Sequence, residues 1–270
     1  MKLTVFLCFW VLVFFSATAQ TDPQSQAHGA RSQGMGNLKL FLKDSWSFFN
    51  NVGTMDRMDE SELSVSVDQR FGLKELSTLS LSGVSKLEFG SIGFGISRFG
   101  GDHFNQQQVG IGFSNTLGIV SLGGKLEWLQ TQIEGFGTGH SLLFSMGGVA
   151  QLGPEIMLGG HFSNFTQSKI SQNNEQALPT LVQVGIGYTP TKSLSMYTEV
   201  EKDVALPAIF KLGFEYTLSE WIFLRTGINS NPSRLSFGLG IRKKRFGFDY
   251  AYGQNSALGR THHFSLGLKF

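Results

Sequence analysis

From residue 62 onward, hydrophobic and polar residues alternate with a period of two, the repeat that sends successive side chains to opposite faces of a β-strand. Val109, Ile111 and Phe113 face one way against Gly110, Gly112 and Ser114; Leu235, Phe237, Leu239 and Ile241 oppose Ser236, Gly238, Gly240 and Arg242. The pattern predicts fourteen strands, over 62–71, 76–85, 87–98, 106–115, 117–130, 140–152, 155–165, 180–189, 193–202, 207–217, 221–229, 234–243, 245–254 and 261–270. Each is close to the roughly 9–11 residues with which a tilted strand crosses a bilayer. The last strand sets Phe264, Leu266, Leu268 and Phe270 against His263, Ser265, Gly267 and Lys269. An edge strand of this kind invites aggregation, whereas a barrel removes the edge by pairing its last strand with its first.

The connections sort by rim. Those near 71–76, 98–106, 130–140, 165–180, 202–207, 229–234 and 254–261 are the longer set, and those near 85–87, 115–117, 152–155, 189–193, 217–221 and 243–245 the shorter. Short turns at one rim, long loops at the other and an even strand number are the marks of a transmembrane antiparallel β-barrel, with both termini expected on the periplasmic side. Trp128, Tyr188, Trp221, Tyr250 and Phe270 fall near strand ends on the apolar face, where an amphipathic ring suits a membrane interface.

The first sixty residues read differently. Met1 and Lys2 precede an apolar run from Leu3 to Phe15 and then Ser16-Ala17-Thr18-Ala19, which predicts a secretory signal peptide over 1–19. Residues 20–60 form a leader and 61–270 the barrel. Within the leader, Leu38, Phe41, Leu42, Trp46 and Phe49 recur at nearly helical spacing, with Asp44 and Ser45 as candidate caps, so a short amphipathic helix or turn-rich plug is expected there. The composition agrees, with 34 Gly, 25 Phe, 6 Pro and 16% charged residues. A net charge of +2 gives no global pull toward nucleic acid. The single cysteine, Cys8, lies in the expected signal peptide, leaving no disulfide or thiolate metal site in the remainder.

The polar strand faces carry the candidate chemistry. Glu199, Glu201, Lys211, Glu215, Arg225, Arg234, Arg242, Asp249 and Lys269 point inward on the last six strands. They form either a structural charge network filling the lumen or an ion-selective, ligand-lining surface. Inward glycines (Gly213, Gly227, Gly238, Gly240, Gly247) leave room for a segment to lie against the wall, and Trp46, Phe48, Phe49, Asn50 and Gly53 are the expected lumen plug. The run His161-Phe162-Ser163-Asn164 is similar to a strand motif of outer-membrane phospholipases. Its parity, however, turns His161 and Ser163 into the lumen, away from lipid. His262 and His263 point to opposite faces, so they do not share a metal. No enzyme, cofactor or metal is expected.

Ala30-Arg31-Ser32-Gln33-Gly34-Met35-Gly36 followed by Trp46-Ser47-Phe48-Phe49-Asn50-Asn51-Val52-Gly53 resembles the N-terminal signature of the PorV/PorQ-type outer-membrane barrels of Bacteroidetes, relatives of the FadL long-chain fatty-acid transporters. Asn51 and Val52 stand where that signature has Pro and Ala. Further similarity lies in Phe71–Leu76, Leu178–Thr180, Glu199–Asp203 and Gly227–Pro232. The resemblance implies a fourteen-stranded barrel whose N-terminal segment enters the lumen, in the outer membrane of a Gram-negative cell. It implies a non-enzymatic component or accessory of a type IX secretion or gliding assembly, partnered by a larger translocon subunit. The alternative is a FadL-like channel for hydrophobic small molecules. The aromatic ending also resembles the assembly mark of outer-membrane barrels, making Phe264, Leu266, Leu268 and Phe270 the expected signal for the barrel assembly machinery. Outer-membrane lipid, and no nucleic acid, completes the expected partners.

Overall fold

A computed structural model describes residues 25–170, 177–204, 206–255 and 258–270. The expected signal peptide, 1–19, lies outside the described residues. Fourteen antiparallel strands pair in chain order and close on themselves. They are β1 (Glu62–Arg70), β2 (Leu73–Leu87), β3 (Gly90–Gly100), β4 (Phe104–Leu117), β5 (Val120–Ile133), β6 (Gly137–Gln151), β7 (Ile156–Ser163), β8 (Leu181–Thr191), β9 (Leu194–Asp203), β10 (Ile209–Ser219), β11 (Ile222–Ser230), β12 (Ser233–Lys243), β13 (Phe246–Asn255) and β14 (Gly259–Lys269). Closure runs in unbroken register from Glu62↔Lys269 to Arg70↔Thr261, and the Phe270 amide donates to the Ser61 carbonyl at 3.0 Å.

The barrel is inside-out relative to a soluble protein. On β1 the buried positions are Glu62, Ser64, Ser66, Asp68 and Arg70, and the exposed ones are Leu63, Val65, Val67 and, near the strand's end, Gln69. On β14 Thr261, His263 and Ser265 are buried while Phe264, Leu266 and Leu268 are exposed. An apolar outer band over a polar interior is the arrangement hydrocarbon requires, because a closed barrel satisfies every ladder hydrogen bond and leaves only side chains to meet lipid.

The two rims differ less than the loop pattern predicts. The expected loops 98–106 and 130–140 are mostly strand, since β4, β5 and β6 extend to Phe104, Ile133 and Gly137. Extended pairing satisfies more backbone groups than a loop would, and the polar run Asn105-Gln106-Gln107-Gln108 does not oppose it. One long connection remains, 164–180. Short β7 leaves the upper part of β6 without a strand partner on that side, and residues of this connection replace it: Phe165 N donates to the Phe144 carbonyl at 3.1 Å and Ser141 Oγ to the Lys169 carbonyl at 3.0 Å.

Candidate functional site: the filled lumen

The leader runs inside the barrel. It contains α1 (Ala30–Gly34), an irregular stretch, α2 (Ser47–Asn50) and a 3-10 turn, η1 (Val52–Arg57). The helical spacing of Leu38, Phe41, Leu42, Trp46 and Phe49 does not produce one amphipathic helix. A helix buries one stripe, but here walls surround the segment, and these residues are buried on several sides at once. Met35, Leu38 and Leu42 pack with Tyr197; Leu40 and Phe41 pack with Val149 and Met157; Trp46, Phe48, Phe49, Val52, Met55 and Met58 pack with Val84. Asp44 and Ser45 do not act as side-chain caps: Asp44 reaches Arg31, and Ser45 Oγ donates to Ser64 Oγ at 2.7 Å.

Inward glycines set how closely leader and wall approach. Strands β3 to β8 and β10 to β12 each present at least one to the leader. A methyl group at Gly227 would overlap the backbone of Met35 and Gly36, and one at Gly95 the rings of Phe48 and Phe49. The segment against Gly213, Gly227 and Gly238 is therefore Gly34 to Leu38, not Trp46 to Phe49 as the sequence suggests. Gly240 and Gly247 face the Arg225 and Arg242 side chains instead.

A non-repetitive chain buried in a barrel must find partners for its backbone polar groups. The inward charges supply them. Glu199 accepts from the Lys39 amide at 2.9 Å and the Leu40 amide at 2.6 Å. Lys211 Nζ donates to the Asn37 carbonyl at 2.9 Å and to Glu201 at 2.8 Å, and Lys39 approaches Glu201 at 3.4 Å. Lys125, which the sequence reading passes over, donates to the Phe49 carbonyl at 3.0 Å and to Glu127 at 2.9 Å. Arg31 grips Glu215 through two bonds of 2.8 and 2.5 Å, the fork geometry in which guanidinium and carboxylate bind most strongly. Glu215 also binds Arg225 at 2.6 Å; Arg225 binds Asp249 at 2.6 Å; Asp249 binds Arg242 at 3.2 Å.

The expected network residues Glu199, Glu201, Lys211, Glu215, Arg225, Arg242 and Asp249 thus fall into two groups, each completed by a leader cation. Lys269 lies apart, paired with Glu60 at 3.3 Å. Arg234 belongs to a third group, bonded to Thr261 and to His263, whose other ring nitrogen meets Asp68 at 2.6 Å. His161 and Ser163 are 3.1 Å apart in the lumen, remote from the lipid face.

The remaining plug residues are held as firmly. Asn50 accepts from the His28 amide and donates to the His28 carbonyl, both at 2.9 Å. The Gly53 carbonyl accepts from Ser114 at 3.2 Å. Phe48 and Phe49 meet edge to face at 5.0 Å, and His28 stacks on Phe49 at 4.0 Å. Toward the far rim, Leu178 and Ile170 from the 164–180 connection pack on inward Leu129 and Leu143, two apolar residues that break the polar parity of their strands. The pocket beside His28, Lys125 and His161 is only about 40 Å³, and the one beside Asp68 and Arg70 about 20 Å³. Such spaces hold about a water molecule each; an organic ligand needs hundreds of cubic ångströms. At the rim where β14 ends, a cavity of about 210 Å³ lies among Asp44, Trp46, Glu62, Arg242 and Asp249. Burial, reinforced by the Glu62 carboxylate and opposed by Arg31, raises the Asp44 carboxyl to about 6.

With this architecture, the chain is similar to solved outer-membrane barrels. The toluene transporter TbuX of Ralstonia pickettii superposes with a TM-score of 0.70 at 13% identity, over 91% of this chain and 99% of that one. The toluene transporter TodX of Pseudomonas putida gives 0.66 at 13% identity, over 90% and 96%. A FadL homologue of Pseudomonas aeruginosa gives 0.61 at 12%, over 90% and 98%. The shared feature is the fold. No protein-family model and no curated protein sequence matches the chain. The narrower PorV/PorQ and Bacteroidetes resemblance, and the secretion role it implies, gain no support from these neighbours.

Proposed function

We propose that this protein is a non-enzymatic outer-membrane channel for small hydrophobic molecules, with residues 25–57 as a plug that must shift for passage. The likeness to two toluene transporters over nine-tenths of the chain carries the reading. The lumen suits it. The wall residues Val84, Val149, Met157 and Tyr197 pack against the leader's apolar side chains, and a hydrophobic solute passing a displaced leader would meet them instead. The Glu199, Glu201 and Glu215 groups hold the resting plug. On this reading the exposed Phe264, Leu266, Leu268 and Phe270 of the closing strand are the assembly mark, and both termini face the periplasm. No contact in the structure favours the secretion role over transport.

The test is uptake of labelled toluene by Gram-negative cells displaying the protein, against the same cells without it. Several-fold faster uptake is expected. Equal rates, with the protein co-purifying stoichiometrically with a large translocon subunit, would overturn the channel in favour of a secretion component.

A further inference from the structure

Three consecutive exposed cations, Lys243 at the end of β12 and Lys244-Arg245 in the turn to β13, stand together. Among the described residues none of them makes an ion pair. The other turns on the same rim are different: Glu88-Phe89, Gly118-Ile119, Leu152 to Glu155, Lys192-Ser193 and Glu220-Trp221. Lys192, Lys86 and Lys269 carry single positive charges on this rim, and only this turn has three exposed ones in succession; of these, Lys244 also borders the rim cavity with Glu220 and Asp249. The turn's backbone does not ask for lysine. Lys244 sits at φ 54, the left-handed region where tight hairpins take Gly, Asn or Asp at lower cost. A bulky cation held there is a local strain of the kind that clusters at binding sites.

The surroundings indicate what meets the cations. Arg245 abuts the closing strand through the Lys269 amide, which donates to its carbonyl at 2.8 Å, and Arg242 abuts the next turn through the Trp221 carbonyl at 2.9 Å. Outward-facing Phe246, Phe270 and Trp221 therefore flank the basic turn, at 69%, 65% and 51% exposure. Just beyond them begins the lipid-facing band, with Leu218, Leu266 and Leu268. Cations set immediately outside an aromatic belt lie at headgroup level, where each basic group attracts anionic lipid.

We propose that Lys243, Lys244 and Arg245 form a binding site for the phosphate of an anionic glycerophospholipid, whose acyl chains lie along the Phe246–Trp221–Phe270 face. The site rests on the membrane-barrel reading but not on transport.

The test uses the full barrel purified in mild detergent, with native mass spectrometry of bound phosphatidylglycerol and of phosphatidylcholine with the same acyl chains. Phosphatidylglycerol is expected to be retained about tenfold more than phosphatidylcholine, and less so as salt rises. Lys243→Gln/Lys244→Gly/Arg245→Gln should erase the preference. Its Lys244→Gly change relieves the turn, so folding is preserved, and a cooperative thermal transition at the wild-type temperature verifies that. Lys192→Gln, in another turn of this rim, should leave the preference intact. Equal retention of the two lipids by the wild type, or an unchanged preference in the triple variant, would overturn the site. Displacement of phosphatidylglycerol by millimolar inorganic phosphate would also overturn it, reducing it to a free-anion site. A barrel that binds neither lipid overturns the site as well, and one that unfolds in lipid overturns the membrane reading on which the site rests.

Discussion

Glu199 is the residue on which the resting plug depends most locally. Its buried carboxylate accepts from two successive leader amides, donors with no strand or helix partner. Glu199→Ala leaves both amides buried without an acceptor, at a cost of about 1–3 kcal/mol in leader docking. Faster amide hydrogen exchange at residues 38–42, with exchange of the barrel strands unchanged, is the expected readout. Asp44 gives the pH dependence. Its carboxyl rises to about 6 in the docked leader because burial and the nearby Glu62 disfavour the charge. Docking therefore takes up a proton, and the Asp44 contribution is fully present below the ordinary carboxylate range near 4 and is lost as pH rises through about 6. Asp44→Asn should remove this dependence and slow leader proteolysis at pH 7.5, with little effect at pH 4. A variant that loosens the leader at pH 7.5 would contradict the assignment.

At the scale of elements, the glycine-lined wall and the leader are one fitted unit. Gly227→Val drives a side chain into the backbone of Met35 and Gly36, where neither backbone can yield. The expected outcome is an ejected leader, cut by protease between residues 30 and 45, on a barrel that still migrates as folded in unheated gels. The strands were legible in the sequence because lipid outside and polar groups inside impose a strict period of two; β10 and β12 were bounded to within two residues. The leader was not, because a chain surrounded by walls has no single apolar stripe to reveal its conformation. The inward parity of Glu199, Glu215 and Arg225 was likewise readable. Their partners Arg31 and Lys39 were not, since the contact with Glu215 spans 184 positions and the Lys39 amide lies 160 positions from Glu199. Leu129 and Leu143 are a signal of their own, apolar residues on the polar parity, at the place where Ile170 and Leu178 pack inward.

At the scale of the whole molecule, the channel reading requires that a lumen whose pockets beside the leader measure about 20, 40 and 210 Å³ open by movement of the leader. The structure offers a direct way to prevent that movement. Ser45 of the leader and Ser64 of β1 have their hydroxyl oxygens 2.7 Å apart, close enough for cysteines at both positions to approach disulfide geometry. The only native cysteine, Cys8, falls in the expected signal peptide. Toluene uptake by cells displaying Ser45→Cys/Ser64→Cys, measured oxidised and then reduced, is the decisive measurement. The account predicts uptake at background in the oxidised form and recovery to the wild-type rate on reduction. Wild-type uptake with the disulfide shown to be formed would contradict it.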